Sequence, residues 1–453
     1  MPTHILPAPS SELRWNLRQL YADVFWYGMV AGSTLSFLSV YAARLDATGF
    51  QIGLLSAGPA LVSLLLTLPA GQWLERHALL RTTFIASIVQ RLGFVVLIAL
   101  PWMFASAGGQ VQGIVWITLL MSAPGTLLSI AFNSTLAEVL PEEWRAHAVG
   151  RRNALVAVSV TATTLACGQI LDKVIFPLNY QIVFAIGAAG ALMSSYHLGR
   201  LKARAAASQE AAAAAAGNAI ISPAAGAQPD ETQPPARQGW LSRLNRLWRG
   251  FLALLRPNRA AAAQGKGGWL RLDVLRGPFG PFMLAYFGFY TFQYFPQPIF
   301  PLFYVNELKL SDGMISLGTA IFHGVMVICS LYLSRASARW GHRKLMVAGA
   351  LLFAQYPLML WMGRSAIWYY AACLIGGGVY AFLSGGLINR LMQRVPANDR
   401  PAYMALHNLA LNLGILAGSM LGPAVGEWIG LRETMLVAVV VRLAAGWMLY
   451  RWG

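Results

Sequence analysis

The chain has 453 residues, 57% of them hydrophobic and only 11% charged, with a mean hydropathy of +0.54. Soluble domains carry roughly a quarter charged residues, so this chain has too few charges to cover a water-facing surface and must solvate most of that surface with lipid. Its formal charge of +17 would point to nucleic acid in a soluble protein; in a membrane protein it has first to be compared with the placement of loops.

In chain order, apolar runs long enough to cross a bilayer as helix, about 20 residues, fall near 20–43, 51–73, 82–103, 112–135, 153–172, 179–199, 280–304, 314–334, 345–362, 366–389, 402–425 and 433–451. β-barrel strands would be about 10 residues long with alternating polarity, and nothing here alternates that way. The pattern predicts an all-α membrane protein with twelve transmembrane helices. Residues 1–19, with Arg14 and Arg18, contain no short apolar core followed by a small-residue cleavage site, and so read as a cytoplasmic segment and not a signal peptide. Cys167, Cys329 and Cys373 fall inside predicted spans at no metal-ligand spacing and read as apolar fillers. No metal or other cofactor is expected.

After the sixth span the text changes character. Residues 203–239 are rich in Ala, Pro and Gln, which buries no core and reads as a disordered linker. Within 240–256, Trp240, Leu244, Leu247, Trp248, Phe251 and Leu255 follow helical spacing, with Arg243, Arg246 and Arg249 on another face. That predicts an amphipathic helix lying on an anionic leaflet. The organisation is therefore a bundle of six helices over 20–202, a linker over 203–276 and a second bundle over 277–453.

With the N-terminus inside, 27 of the 34 Arg and Lys residues fall on the cytoplasmic side, five in outer loops (Arg44, Lys173, Lys309, Arg364, Arg432) and two within spans (Arg91, Arg442). This is the positive-inside asymmetry. The basic balance reports topology, with both termini cytoplasmic in the inner membrane, and not a polynucleotide partner.

The second half repeats the first. YAARLDATGFQIGLL at 41–55 aligns with YVNELKLSDGMISLG at 304–318, an offset of 263, and LAEVLPEEWRAHAVGRRN at 136–153 aligns with LMQRVPANDRPAYMALHN at 391–408, an offset of 255. The difference falls where ASAGGQVQG lengthens an outer loop. Between the second and third helices of each half lies a basic loop: PAGQWLERHALLR in the first, RASARWGHRKL in the second. These loops resemble the signature Gly-x-x-x-Asp-Arg-x-Gly-Arg-Arg/Lys of the major facilitator superfamily. The first copy keeps Gly71, Arg76 and Arg81 and has Glu75 for the Asp; the second keeps Arg339, Gly341, Arg343 and Lys344 but has Ser334 for the first Gly and Ala338 for the acid.

That resemblance implies two pseudo-symmetric six-helix bundles rocking about a central cavity lined by helices 1, 4, 7 and 10, with 2, 5, 8 and 11 at the sliding interface. It also implies a latch. Glu75 is expected near the positive N-terminal end of helix 11 and Arg76 beside Glu138, while Arg339, Arg343 and Lys344 anchor the membrane orientation. Gly414, Gly418, Gly422 and Gly426, every fourth residue of helix 11 with Pro423 alongside, allow close backbone approach in lipid, expected across the two halves rather than as static packing.

Candidate cavity residues follow. Pro296, Pro298 and Pro301 cannot all sit in an unbroken helix, so the outer half of helix 7 is expected to be kinked, with Tyr290, Gln293, Tyr294 and Gln297 on one side facing either substrate or neighbours. Arg91 and His323 lie near mid-membrane, where ionisable groups are rare and face inward; Arg91 has Asp23 as its nearest acid, with Asp23 placed in the first turn of helix 1. Arg442 is expected to snorkel. There is no phosphate loop for ATP drive, so the chain reads as a non-enzymatic, monomeric secondary transporter of a small solute, with proton or ion coupling possible through Asp23 or His323. The alternative is a non-transporting relative serving as a membrane scaffold, sensor or assembly factor.

Overall fold

The computed structural model describes residues 10–74, 77–203, 275–396 and 400–453. The expected linker helix at 240–256 lies outside them, as do Glu75 and Arg76. Twelve helical segments follow in order: α1 (Ser11–Arg44), α2 (Gly49–Leu74), α3 (Leu79–Met103), α4 (Ala107–Val139), α5 (Glu142–Lys173), α6 (Leu178–Leu198), α7 (279–307), α8 (Asp312–Ser330), α9 (His342–Met362), α10 (Ala366–Arg394), α11 (Arg400–Ile429) and α12 (Leu431–Trp452). Among the described residues eleven are long and apolar enough to span a bilayer. The twelfth, α7, is broken at the prolines.

Several helices begin well before their apolar runs. Ser10 caps α1, its Oγ accepting from Leu13 N at 3.2 Å, with Glu12 in the first turn; a capping hydroxyl and an early acid satisfy orphan N–H groups and the helix dipole. The extra residues expected to lengthen an outer loop at ASAGGQVQG instead extend α4, which starts at Ala107 behind the N-cap Ser106.

The two halves pack alike. In the first, α1 packs on α5 and α6, α4 on α2 and α3, and α3 on α6; in the second, α7 packs on α11 and α12, α10 on α8 and α9, and α9 on α12. Asp46 and Lys309, which the 263-residue offset pairs, both take left-handed backbone conformations, with φ of 57° and 50°. That conformation is unusual for non-glycine residues, so its recurrence marks the repeat at the level of the backbone. The bundles meet through α2 on α11 and α5 on α8, two contacts related by the same pseudo-symmetry.

The glycine stripe of α11 lies elsewhere than expected. A Cβ on Gly414 would come within 2.6 Å of Tyr290 Cβ, and Cβ atoms on Gly418 and Gly422 would collide with the carbonyl oxygens of Thr291 and Phe295. All three face α7 inside the same bundle, because the broken α7 exposes backbone that only glycine can approach; Gly426 sits in looser surroundings. Close approaches across the halves are made instead by α2 and α5: a Cβ on Gly53 would strike Ser419 O, one on Gly49 would lie 3.0 Å from Pro423 Cβ, and one on Gly168 would collide with the Ser316 side chain. Overpacking a core costs roughly 1–3 kcal/mol, and a carbonyl of a packed helix cannot rotate away as a side chain does. Gly422→Leu is therefore expected to lower the melting temperature of the purified protein by several degrees; an unchanged melting temperature would contradict the α7–α11 contact.

Candidate functional site

Helices α1, α3, α5 and α6 bring together a buried charge cluster. Asp23 and Arg91 are each 4% exposed, and Arg91 Nη2 lies 3.8 Å from Asp23 Oδ1. Placing Asp23 in the first turn is corrected: α1 starts at Ser11 and α3 at Leu79, so Asp23 and Arg91 both sit twelve residues in and stand at one level. Ser194 donates to Asp23 Oδ1 in a short hydrogen bond. Arg91 Nη1 donates to Ser195 Oγ at 2.7 Å, and Ser87 Oγ donates to the same oxygen at 3.1 Å.

A third charged group was hidden in the sequence. Arg152, which charge counting assigns to a cytoplasmic loop, lies ten residues inside α5, with Nη2 4.0 Å from Asp23 Oδ2 and its guanidinium 4.7 Å from the centre of the Phe132 ring. Two guanidiniums share one carboxylate, leaving a surplus positive charge where burial makes charge expensive. The signal in the sequence was the Pro141-Glu142-Glu143 start, a helix N-terminus that hydropathy alone does not register.

The second bundle has a counterpart between α7, α9 and α12. Pro296 and Pro298 carry no N–H, and the Gln297 N–H turns to Tyr294 O at 3.3 Å, so the carbonyl of Gln293 loses its helical donor. Arg442 supplies one: Nη2 donates to Gln293 O at 3.4 Å and Nη1 to Phe353 O at 3.2 Å, with the guanidinium 4.5 Å from the centre of the Phe353 ring. Arg442 is 3% exposed. It does not snorkel, because unsatisfied carbonyls in an apolar interior draw the donor inward. Tyr290 donates or accepts across 2.9 Å to His407 of α11. Tyr294 is half-buried and Gln297 exposed, whereas the Gln293 side chain is buried; His323 is half-buried on α8 beside Phe322. Within the first bundle, a cavity of about 290 Å³ is lined by Leu35, Ser63, Gln90, Ser122 and Thr126.

The hydrogen bonds and ion pairs that join the bundles among the described residues gather at the end of the molecule away from the termini. Arg44 donates to Asp312 Oδ1 from Nη2 at 2.9 Å and from Nε at 3.1 Å, and to Leu310 O at 2.6 Å. Tyr180 donates to Asp312 Oδ2 at 2.8 Å. Asp172 accepts from Gly313 N at 2.8 Å and Ser311 Oγ at 3.2 Å, and Ser316 Oγ donates to Thr164 O at 2.5 Å. Asp172 and Asp312 thus both sit at the positive N-terminal end of α8, one from each bundle.

The loop motifs lie at the opposite end. Gly71 faces open space, Arg81 is exposed at the start of α3, and Glu138 is half-buried near the end of α4. In the second copy Leu333–Trp340 forms a short helix, and Gly341 turns the chain into α9 at φ +78°, a conformation that favours glycine. Arg343 Nη2 donates to Tyr450 O at 2.7 Å, capping the last turn of α12, where cations are favoured. Arg339 and Lys344 are exposed.

Two alike bundles of six helical segments, tied at one end, make up the described fold. The Major Facilitator Superfamily profile matches residues 282–453. A bacterial homologue of the iron transporter ferroportin in its inward-facing state is similar over 98% of this chain and 99% of its own, with a TM-score of 0.68 at 11% identity. The nucleoside transporter NupG gives 0.65 at 12% identity over 96% and 98%, and the xylose transporter XylE from E. coli 0.64 at 14% over 98% of each chain. The profile thus covers the second bundle, and the likeness to these solved structures shows the same fold over both bundles. A curated relative, the transcription regulatory protein OpdE of Pseudomonas aeruginosa, is 26% identical over 144 residues, 31% of this chain and 35% of the relative's length.

The shared carboxylate makes an ordered prediction. Asp23→Asn strands two buried guanidiniums and is expected to cost about 3–5 kcal/mol, whereas Arg91→Gln leaves Arg152 to balance Asp23 and costs less. Thermal unfolding of the two variants checks this; Arg91→Gln as damaging as Asp23→Asn would contradict the sharing.

Proposed function

We propose that the chain is a secondary transporter that moves a small solute across the cytoplasmic membrane by alternating access. The observation that carries this reading is the gathering of the inter-bundle bonds at one end. The 27-to-5 distribution of Arg and Lys supports cytoplasmic termini, which makes the tied end the outer one and the conformation inward-facing. Two bundles that repeat each other and touch through the symmetry-related pairs α2–α11 and α5–α8 can rock about those contacts.

The buried cluster supports a substrate that is neutral, amphipathic or weakly anionic. Its surplus positive charge suits an anionic group, and no carboxylate surplus is available for a cation. Coupling to a proton or ion would fall to Asp23, held between two arginines, or to His323. The protein works as a monomer on this reading. The OpdE likeness favours a second reading, a non-transporting membrane regulator, because that relative is named for transcriptional regulation and matches about a third of this chain.

Solute uptake by proteoliposomes, screened against a metabolite panel, separates the two. Flux of at least one solute, lost in Arg91→Gln protein that remains folded, supports transport; no flux for any solute, with a stable protein partner recovered from membranes, supports the regulator. The outer tie gives a further expectation. Val40 is buried in a cluster with Phe300 and Phe303 of the other bundle, so a cysteine there, in an otherwise cysteine-free chain, is shielded. Arg44→Gln removes both the ion pair and the bond to Leu310 and should raise the reactivity of that cysteine toward an external membrane-impermeant maleimide several-fold. Unchanged reactivity would count against an outer gate.

A further inference from the structure

A groove of about 550 Å³ runs between α8, α9 and α10 at the end that carries the termini. Its floor is small: Cys329, Ala348, Gly349 and Gly378, where a Cβ on Gly378 would lie 3.3 Å from Cys329 Sγ. Its walls are large and apolar. Leu352, Leu374 and Ile375 are exposed by 58%, 54% and 47%, which places the groove's open side in the hydrocarbon. Five residues of α9 between Lys344 and Leu352 line it, a stretch of eight residue steps, about 12 Å at 1.5 Å per residue. At its mouth stand Trp340 and Lys344, an aromatic ring and an ammonium of the kind that settle at the headgroup level.

The mouth is strongly and one-sidedly charged. Residues 331–345 contain Arg335, Arg339, Arg343 and Lys344 and no acid. The described acids of the second bundle, Glu307, Asp312, Glu427 and Glu433, all lie at the other end. Arg343 is spent on the carbonyl of Tyr450, while Lys344 and Arg339 are exposed and take part in no ion pair among the described residues. An apolar trench that narrows onto unpaired cations at the membrane surface matches one partner: a molecule with an alkyl chain and an anionic head.

We propose that this groove binds an anionic phospholipid of the surrounding bilayer, one acyl chain lying over Cys329, Gly349 and Gly378 and the phosphate held by Lys344, with Arg339 adding to the attraction. The loss of the acidic residue from the second motif copy, Ala338 in place of the family's Asp, is what leaves these cations free for a lipid headgroup. The occupied groove would brace α8 against α9 and α10.

The protein carries its own probe. Cys167 and Cys373 are buried and Cys329 is half-buried on the groove floor, so alkylation by a membrane-permeant maleimide reports the groove. The intact chain is placed in vesicles of phosphatidylcholine alone or with phosphatidylglycerol, and the rate at Cys329 is read by mass spectrometry. One basic side chain near an anionic surface is worth about 1 kcal/mol, or about fivefold. Phosphatidylglycerol is therefore expected to slow alkylation several-fold, Lys344→Gln to remove about fivefold of that protection, and Arg14→Gln, which deletes an exposed charge on the same membrane face of the other bundle, to leave it intact. Equal rates in the two vesicles would overturn the proposal. So would full protection in Lys344→Gln, or an equal loss in Arg14→Gln, which would reduce the effect to general surface charge.

Discussion

Asp312 is bonded from across the midline of the molecule. Arg44 of α1 and Tyr180 of α6 both reach it from the first bundle, and one residue further on the amide of Gly313 is held by Asp172 of α5. The N-terminus of α8 thus belongs to one bundle covalently and to the other electrostatically. The positive end of a helix offsets the mutual repulsion of two carboxylates, and the Arg44 guanidinium balances Asp312. Exposed ion pairs are worth about 0–1 kcal/mol; this one is partly buried and shares its atoms with backbone groups. Those bonds hold the N-terminal end of α8 against the first bundle. Below it, Gly49 and Gly53 let α2 lie against Ser419 and Pro423, so the closed end is also sterically tight.

Within each bundle, charge is handled differently. The first buries an acid and balances it twice, with Arg91 and Arg152, using serines of α3 and α6 as further partners. The second buries Arg442 without an acid and places it against the Gln293 carbonyl freed by the prolines of α7 and the Phe353 carbonyl of α9. Both arginines stand in the seam among the first, third and sixth helices of their half, but they come from different helices: the third in one and the sixth in the other. The repeat conserves the place for a polar pin rather than the residue that fills it. In the first bundle two guanidiniums share one carboxylate, whereas in the second the guanidinium is committed to the carbonyls of Gln293 and Phe353.

Much of the fold was legible because hydrocarbon imposes simple rules. Runs of about 20 apolar residues gave the spans, prolines at 296, 298 and 301 gave the break in α7, and the cost of a charge in lipid turned Arg91 inward toward Asp23. What was not legible traces to helix ends. The first turns of α1 and α5 are polar and solvated, so their starts at Ser11 and Glu142 lie nine and eleven residues ahead of the apolar runs, and Asp23 and Arg152 looked more superficial than they are. The glycine spacing of α11 showed that a backbone approaches closely, but only the geometry shows that it is α7. Likewise Arg442 looked free to reach the surface because the carbonyls that hold it belong to residues 89 and 149 positions away.

In the proposed mechanism the two bundles exchange closure at one end for closure at the other. Spin labels on Glu143 of α5 and Arg335 of the short Leu333–Trp340 helix, both exposed, would measure the separation of the bundles at the end opposite the tie. With Asp312 intact, electron-spin dipolar distances should show a dominant long population. With Asp312→Asn, a shorter population should grow at its expense as the far end opens. A single distance, unmoved by Asp312→Asn, would show that the bundles do not rock and would contradict alternating access.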